Sequence, residues 1–229
     1  MFYWDYTMFL IIPALVLALF AQARVRGAYN RYARVFAASG ISGAEAARRI
    51  LQTGGAGEVA VEKISGRLTD HYDPRKKILR LSEGVYDNAS IAALGIAAHE
   101  AGHALQHSTG YAPLRVRNAI YPVASIGSTL AFPLFVMGFI LSSRGPSVMM
   151  DIGILLFSGA VLFSVITLPV EFDASRRAMV LLSERGFLAG QELDGARKVL
   201  SAAALTYVAS TAMAVSQLLR MLMLKGSRD

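Results

Sequence analysis

The longest uninterrupted apolar runs lie at about 120–141 and 148–170, joined by the polar turn Ser142-Ser143-Arg144-Gly145-Pro146-Ser147. Each run is long enough for a helix crossing a bilayer, which needs roughly 20 residues, so the pattern predicts a transmembrane hairpin. Pro122, Pro133 and Pro169 fall inside these segments, where membrane helices tolerate proline. A shorter run at 8–23 follows Phe2, Tyr3, Trp4 and Tyr6. Such rings suit a membrane–water interface and extend the segment toward spanning length. Ala21-Gln22-Ala23 looks like a signal-peptide cleavage site, but Asp5 and no Lys or Arg precede the run. An uncleaved anchor is therefore expected. A last helix is expected at 191–224. Its portion from 202 is apolar but contains Gln217 and Arg220, so it reads equally as a fourth span or as a helix lying on the membrane or packed in a core.

Between the anchor and the hairpin, the segment 24–118 is mixed and soluble-like. Ser42-Gly43-Ala44-Glu45 reads as a capping box that opens a helix through about Gln52. Two strand-like pieces follow, at 59–64 and 78–82, with turn chemistry at Asp73-Pro74 between them. An Ala-rich helix is predicted from about Ser90 to His107, ending before Gly110 and Pro113. A further helix is expected at 172–184, stopped at Gly186. The expected fold is a mainly α integral membrane protein with three or four transmembrane helices and an α+β domain holding a small β element. Its parts are an anchor at 1–23, a domain at 24–118, the hairpin at 119–170, and a helical part at 171–229.

Charge sets the orientation. The chain has 23 Lys and Arg against 16 Asp and Glu, and 54% of its 229 residues are apolar. The basic residues flank apolar runs instead of interleaving with aromatics on polar segments, which favours membrane topology and excludes a nucleic-acid binder. Arg24, Arg26, Arg31 and Arg34 follow the first run, Arg115 and Arg117 precede the second, and Arg176 and Arg177 follow the third. The hairpin turn has only Arg144. All three crowded sites fall on the cytoplasmic side if the N-terminus is outside. The segment 24–118 and the chain beyond 170 are then both expected in the cytoplasm.

The chain has no cysteine and four histidines: His71, His99, His103 and His107. Any metal must be held by His, Asp or Glu. His99-Glu100-Ala101-Gly102-His103 places two imidazoles one turn apart on the long helix, about 6 Å along its axis and within roughly 40° of one face. They can converge on one zinc ion. Glu100, beside the first ligand, is then placed as general base and acid: it takes a proton from water on the metal and returns it to the leaving amine. Zinc lowers the pKa of that water to about 7. Ala101, Gly102 and Ala104 are small, so another helix can approach closely. His107 is about 12 Å from His99 along the axis, too far for the same ion, and reads as a helix-end residue or one supporting the site. His71, in Thr69-Asp70-His71-Tyr72-Asp73-Pro74, reads as a turn residue.

A catalytic zinc commonly has a third protein ligand. An even number of spans separates His103 from Glu171, so Glu171 returns to the same side of the membrane, whereas Asp151 lies at the opposite end of its span. Glu171 is the expected ligand. The alternative is an acidic residue on the first turn of a new helix, stabilised by the helix dipole. Asp173, two residues on, is about 200° around the helix from Glu171 and is expected to hold Arg176 or Arg177. An exposed edge on the strand at 78–82 would suit an extended peptide, or the strand would be a plain sheet element.

These residues carry a family resemblance. His-Glu-Ala-Gly-His, Pro169-Val170-Glu171-Phe172-Asp173-Ala174-Ser175-Arg176-Arg177-Ala178, Leu68-Thr69-Asp70-His71-Tyr72-Asp73-Pro74-Arg75 and Ala203-Ala204-Leu205-Thr206-Tyr207-Val208 resemble the YugP family of membrane zinc metallopeptidases. The resemblance implies a gluzincin-type site: His99, His103 and Glu171 on zinc, Glu100 as general base, and a polypeptide substrate, either a membrane or a misfolded protein. The related HtpX proteases typically carry E-x-x-x-D at the third ligand. Here the residue four after Glu171 is Ser175, so that supporting carboxylate is absent, and Asp173 is expected to replace it only on an irregular helix. Two rival readings differ in what they require. Leu193-Asp194-Gly195 matches a short element of intramembrane site-2-type proteases, and a non-catalytic membrane scaffold with a metal site would have no use for Glu100.

Overall fold

The computed structural model describes residues 6–142 and 147–227. Phe2, Tyr3 and Trp4 of the interfacial aromatic cluster, Asp5, and Arg144 with the middle of the hairpin turn lie outside the described residues. The described residues are mostly helical, with one small sheet. In order, its elements are a 3-10 turn at Tyr6–Leu10, α1 (Ile12–Tyr32), α2 (Gly43–Thr53), β1 (Ala60–Ile64), β2 (His71–Asp73), β3 (Ile78–Ser82), α3 (Glu83–Tyr86), α4 (Ile91–Ser108), α5 (Ala112–Leu141), α6 (Val148–Glu184) and α7 (Gly190–Gly226). Among the described residues, four helical segments are long and apolar enough to cross a membrane: Tyr6–Tyr32, Ala112–Leu141, Val148–Glu184 and Gly190–Gly226. The fourth, left open by Gln217 and Arg220, therefore qualifies by length and composition.

Contacts divide the chain into two compact units. One comprises Met1–Ala21, Val116–Leu168 and Thr206–Asp229. Its outward side chains are apolar: Val123, Ile140, Val148 and Leu155 are each at least 70% exposed. In water such a surface would be a liability, whereas lipid is its natural solvent. Small residues let helices within this unit approach. A Cβ on Gly153 would fall 2.8 Å from the Ala131 carbonyl oxygen, and one on Gly138 would fall 2.7 Å from the Met150 nitrogen. Packing of this kind replaces the hydrophobic drive that is missing inside a bilayer. Polar groups in the unit find partners: Thr211 donates to the Ser164 carbonyl at 3.3 Å, and Lys225 pairs with Asp151.

The other unit comprises Gln22–Arg115 and Pro169–Leu205. Its core is assembled from Ile50 and Leu51 of α2, Leu79 and Leu81 of β3, Leu94 of α4, and Leu182 of α6. Burial of each such side chain contributes roughly 1.5–3 kcal/mol. The α2 helix begins where Ser42 Oγ accepts from the Glu45 amide at 3.2 Å, the arrangement expected of a capping box. The sheet order is β1-β3-β2, with β1 parallel and β2 antiparallel to β3. Alternation along β3 puts Leu79 and Leu81 into the core and turns Arg80 to the other face, where it pairs with Glu62 and Asp73.

Two expectations for this region need correction. The 78–82 segment is the central strand, paired with β1 along its length and with β2 at Ile78, Leu79 and Arg80, so of its two readings the plain sheet element stands and the exposed edge does not. His71 is not in the turn but opens β2, opposite Arg80. Three residues are too few to leave an alternating signature, which is why the strand is invisible in the sequence. The turn begins at Asp73, whose Oδ1 accepts from the amides of Arg75 and Lys76, and those bonds hold its carboxyl below the usual range. The turn closes through Lys77 at φ 52°.

Helix limits also differ from those expected. α1 continues nine residues past the apolar run, to Tyr32, because Tyr29 and Tyr32 are buried in the core and carry the helix with them. α6 is one continuous helix through Pro169. Glu171 therefore sits inside it and not on the first turn of a new helix, which removes the dipole explanation for its placement.

Candidate metal centre

The α4 helix builds the site. Asn88 Oδ1 accepts from the Ser90 amide at 2.9 Å, and Ser90 Oγ caps the helix by accepting from the Ala93 amide at 3.2 Å. The helix is rich in Ala and Gly and is buried almost all round: Ala92, Ala93, Leu94, Ala97, Ala98, Ala101 and Ala104 are all within 1% of full burial. Gly110, at φ 65°, ends it in the left-handed region that favours glycine. Gly102 admits the neighbouring helix, since a Cβ there would lie 2.9 Å from the Ala174 carbonyl oxygen of α6. The face of α6 turned inward carries Val170, Glu171, Ala174 and Ala178, all buried, at the i, i+3, i+4 spacing of one helical stripe.

Glu171, 68 residues beyond His103 in sequence, is thereby placed beside both histidines. Its Oε2 lies 3.3 Å from His99 Nε2 and 3.4 Å from His103 Nε2, and the three side chains are 4%, 13% and 12% exposed. Among the described residues these three form a group able to hold a metal, with their ligand atoms within 4.8 Å of one another. Zinc bonds to His and carboxylate of about 2.0–2.2 Å in a tetrahedron put ligand atoms roughly 3.3–3.5 Å apart. Both histidine-to-carboxylate separations match that spacing. The donor set, two imidazoles and one carboxylate, leaves a fourth position for another ligand.

The other nitrogen of each ring is also engaged. His99 Nδ1 meets Ser175 Oγ at 3.1 Å, and His103 Nδ1 meets Gln106 Oε1 at 3.0 Å. Gln106 in turn donates to the Val170 carbonyl and to Asp173 Oδ2, each at 2.9 Å. Asp173 pairs with both Arg176 and Arg177, as its sequence context leads one to expect. It also touches Gln106 from a regular helix, so a carboxylate reaches the site's surroundings two residues from where the related pattern has it. Gln106 and Ser175 carry no motif. Their only sequence signal is a polar side chain at i+3 from His103 and at i+4 from Glu171, on the same helical faces.

The remaining candidates lie elsewhere. His107 Nδ1 bonds the Tyr72 hydroxyl at 2.8 Å. Burial pushes the Tyr72 phenol up to about 12, and its hydroxyl donates or accepts in this bond according to the His107 tautomer. His71 Nδ1 meets the Thr69 carbonyl. Asp194 is 60% exposed and pairs with Arg197, a solvated surface pair unlike the buried carboxylate that a site-2-type centre requires. Glu100 is half-buried on α4, next to His99.

Comparison with known proteins agrees with this chemistry. Residues 7–226 match the family described as "Putative neutral zinc metallopeptidase". The chain is 48% identical over 216 residues to "Putative membrane protease YugP" of Bacillus subtilis (strain 168), covering 94% of this chain and 95% of that protein. No solved structure matches.

Proposed function

The chain belongs to this family of neutral zinc metallopeptidases, and we propose that it is a membrane-bound, zinc-dependent endopeptidase of the gluzincin type. The convergence of His99 Nε2, His103 Nε2 and Glu171 Oε2 at zinc-compatible spacing carries the reading. These three residues would hold the ion. When bound, zinc supplies the Lewis acidity that makes water an effective nucleophile near neutral pH.

The chain's own groups do the rest. Glu100 accepts the proton released as water attacks the scissile carbonyl, then delivers it to the departing amine nitrogen. Ser175 and Gln106 orient the two imidazoles through their Nδ1 atoms. The packed Ala and Gly surface of α4 keeps the ligands rigid and largely dry, which strengthens every charge interaction at the site. The substrate is a polypeptide, a membrane or misfolded protein. As an edge strand packed against α4, β2 is the better-placed element to receive an extended chain by backbone hydrogen bonds. The basic residues flanking the apolar segments support an N-terminus outside and residues 24–118 in the cytoplasm.

The test is cleavage of an unfolded protein by the purified, zinc-loaded enzyme in detergent. Cleavage that Glu100→Ala abolishes supports the reading. Equal cleavage, or equal failure to cleave, by the two proteins overturns it.

A further inference from the structure

Gln106 is fully buried, at 0% exposure, in a helix whose other buried residues are Ala, Gly, Leu and Ile. A buried amide is costly unless its groups are paired. Here the pairing dictates its orientation. The Val170 carbonyl and Asp173 Oδ2 both lie 2.9 Å from the amide nitrogen, and an ionised carboxylate and a backbone carbonyl can only accept. Turning the amide over would face its oxygen toward two acceptors. Oε1 is therefore committed to the opposite side, where His103 Nδ1 lies 3.0 Å away. An amide oxygen has no proton to give, so His103 must carry hydrogen on Nδ1. In the neutral ring the lone pair then lies on Nε2, the atom that faces Glu171 and would bind the metal.

His99 is held differently. Its Nδ1 meets the hydroxyl of Ser175, which rotates and can donate or accept. Such a partner does not choose between tautomers. Of the two histidines in the site, it is His103 whose Nδ1 partner dictates the tautomer.

Resting on the zinc reading above, we infer that Gln106, clamped by Asp173 and the Val170 carbonyl, is a positioning residue that fixes the tautomer and ring orientation of His103 for zinc. Asp173, anchored by Arg176 and Arg177, thus acts on the metal through an intervening amide and not by touching a histidine itself. Groups of this kind typically set metal affinity by about 10–100-fold.

The experiment is zinc affinity of the full-length protein in detergent, measured by competition with a chromophoric chelator. Gln106→Met, similar in length but without the amide, is expected to weaken zinc binding by about 10–100-fold, and Ser175→Ala by clearly less. An exchanged pair adds a rescue. Gln106→Glu and Asp173→Asn are each expected to weaken binding, while the double variant recovers part of the loss. In it the carboxylate at 106 accepts from both His103 and the new amide at 173. A merely structural role would move the melting temperature of the metal-free protein without this recovery of zinc affinity. The inference is overturned if Gln106→Met binds zinc within about twofold of native, or if Ser175→Ala costs as much. It also falls if the double variant binds no better than its singles, a comparison that decides alone should Gln106→Met not fold. A native protein that binds no zinc would instead overturn the proposed function beneath it.

Discussion

The side chains that carry and support the proposed chemistry differ in sequence legibility for physical reasons. His99 and His103 are legible because the helix repeat converts a four-residue spacing into a shared face. Glu171 has no local signature. In the sequence it is reached through the expected even number of spans between it and His103, and through the family resemblance of the segment around it. Gln106 and Ser175 reach their partners through helix packing that no spacing rule displays. The residue-scale predictions separate ligand from base. Glu100→Gln is expected to lower peptide hydrolysis by about 100-fold or more while leaving zinc content unchanged, as read by single-turnover assay and elemental analysis. Glu171→Ala is expected to lose both. An active Glu100→Gln variant would remove the general base from the mechanism.

At the level of elements, the zinc helix and its cap are written plainly in the sequence. Ser90, the Ala-rich run and Gly110 set its limits within about a residue of those observed. The sheet is less legible: β3 shows its alternation, but β2 is held by pairing with β3 and by contact with α4, neither of which leaves a pattern. The continuity of α6 through Pro169 is likewise hidden, since proline usually argues for a break. The tight approach of α4 and α6 at Gly102 makes a sharp prediction. Gly102→Ala improves helix propensity, yet its methyl would meet the Ala174 carbonyl at 2.9 Å. Overpacking of this kind costs about 1–3 kcal/mol, so a lower melting temperature and weaker zinc binding are expected together. Tyr72→Phe should be milder, losing about 1 kcal/mol for one hydrogen bond to His107 while zinc stays bound. If Tyr72→Phe released zinc and Gly102→Ala did not, the roles of β2 and α6 in shaping the site would have to be exchanged.

For the whole molecule, run lengths and charge placement predict the membrane character, and the four long apolar helices agree with it. The last of them could not be resolved from sequence because Gln217 and Arg220 interrupt its apolar stretch. In the folded chain Arg220 meets Thr7, a pairing 213 residues apart that no window along the sequence contains. Reporter fusions at residue 60 should report a cytoplasmic location, and an external signal there would reverse the proposed orientation. Zinc is the claim on which everything else rests. Elemental analysis of the purified native protein, beside Glu171→Ala and Asp194→Ala, tests it most directly. One zinc per chain is predicted in the native protein and in Asp194→Ala, with little or none in Glu171→Ala. A native protein without zinc, or a Glu171→Ala variant that retains it fully, would contradict the His99, His103 and Glu171 centre.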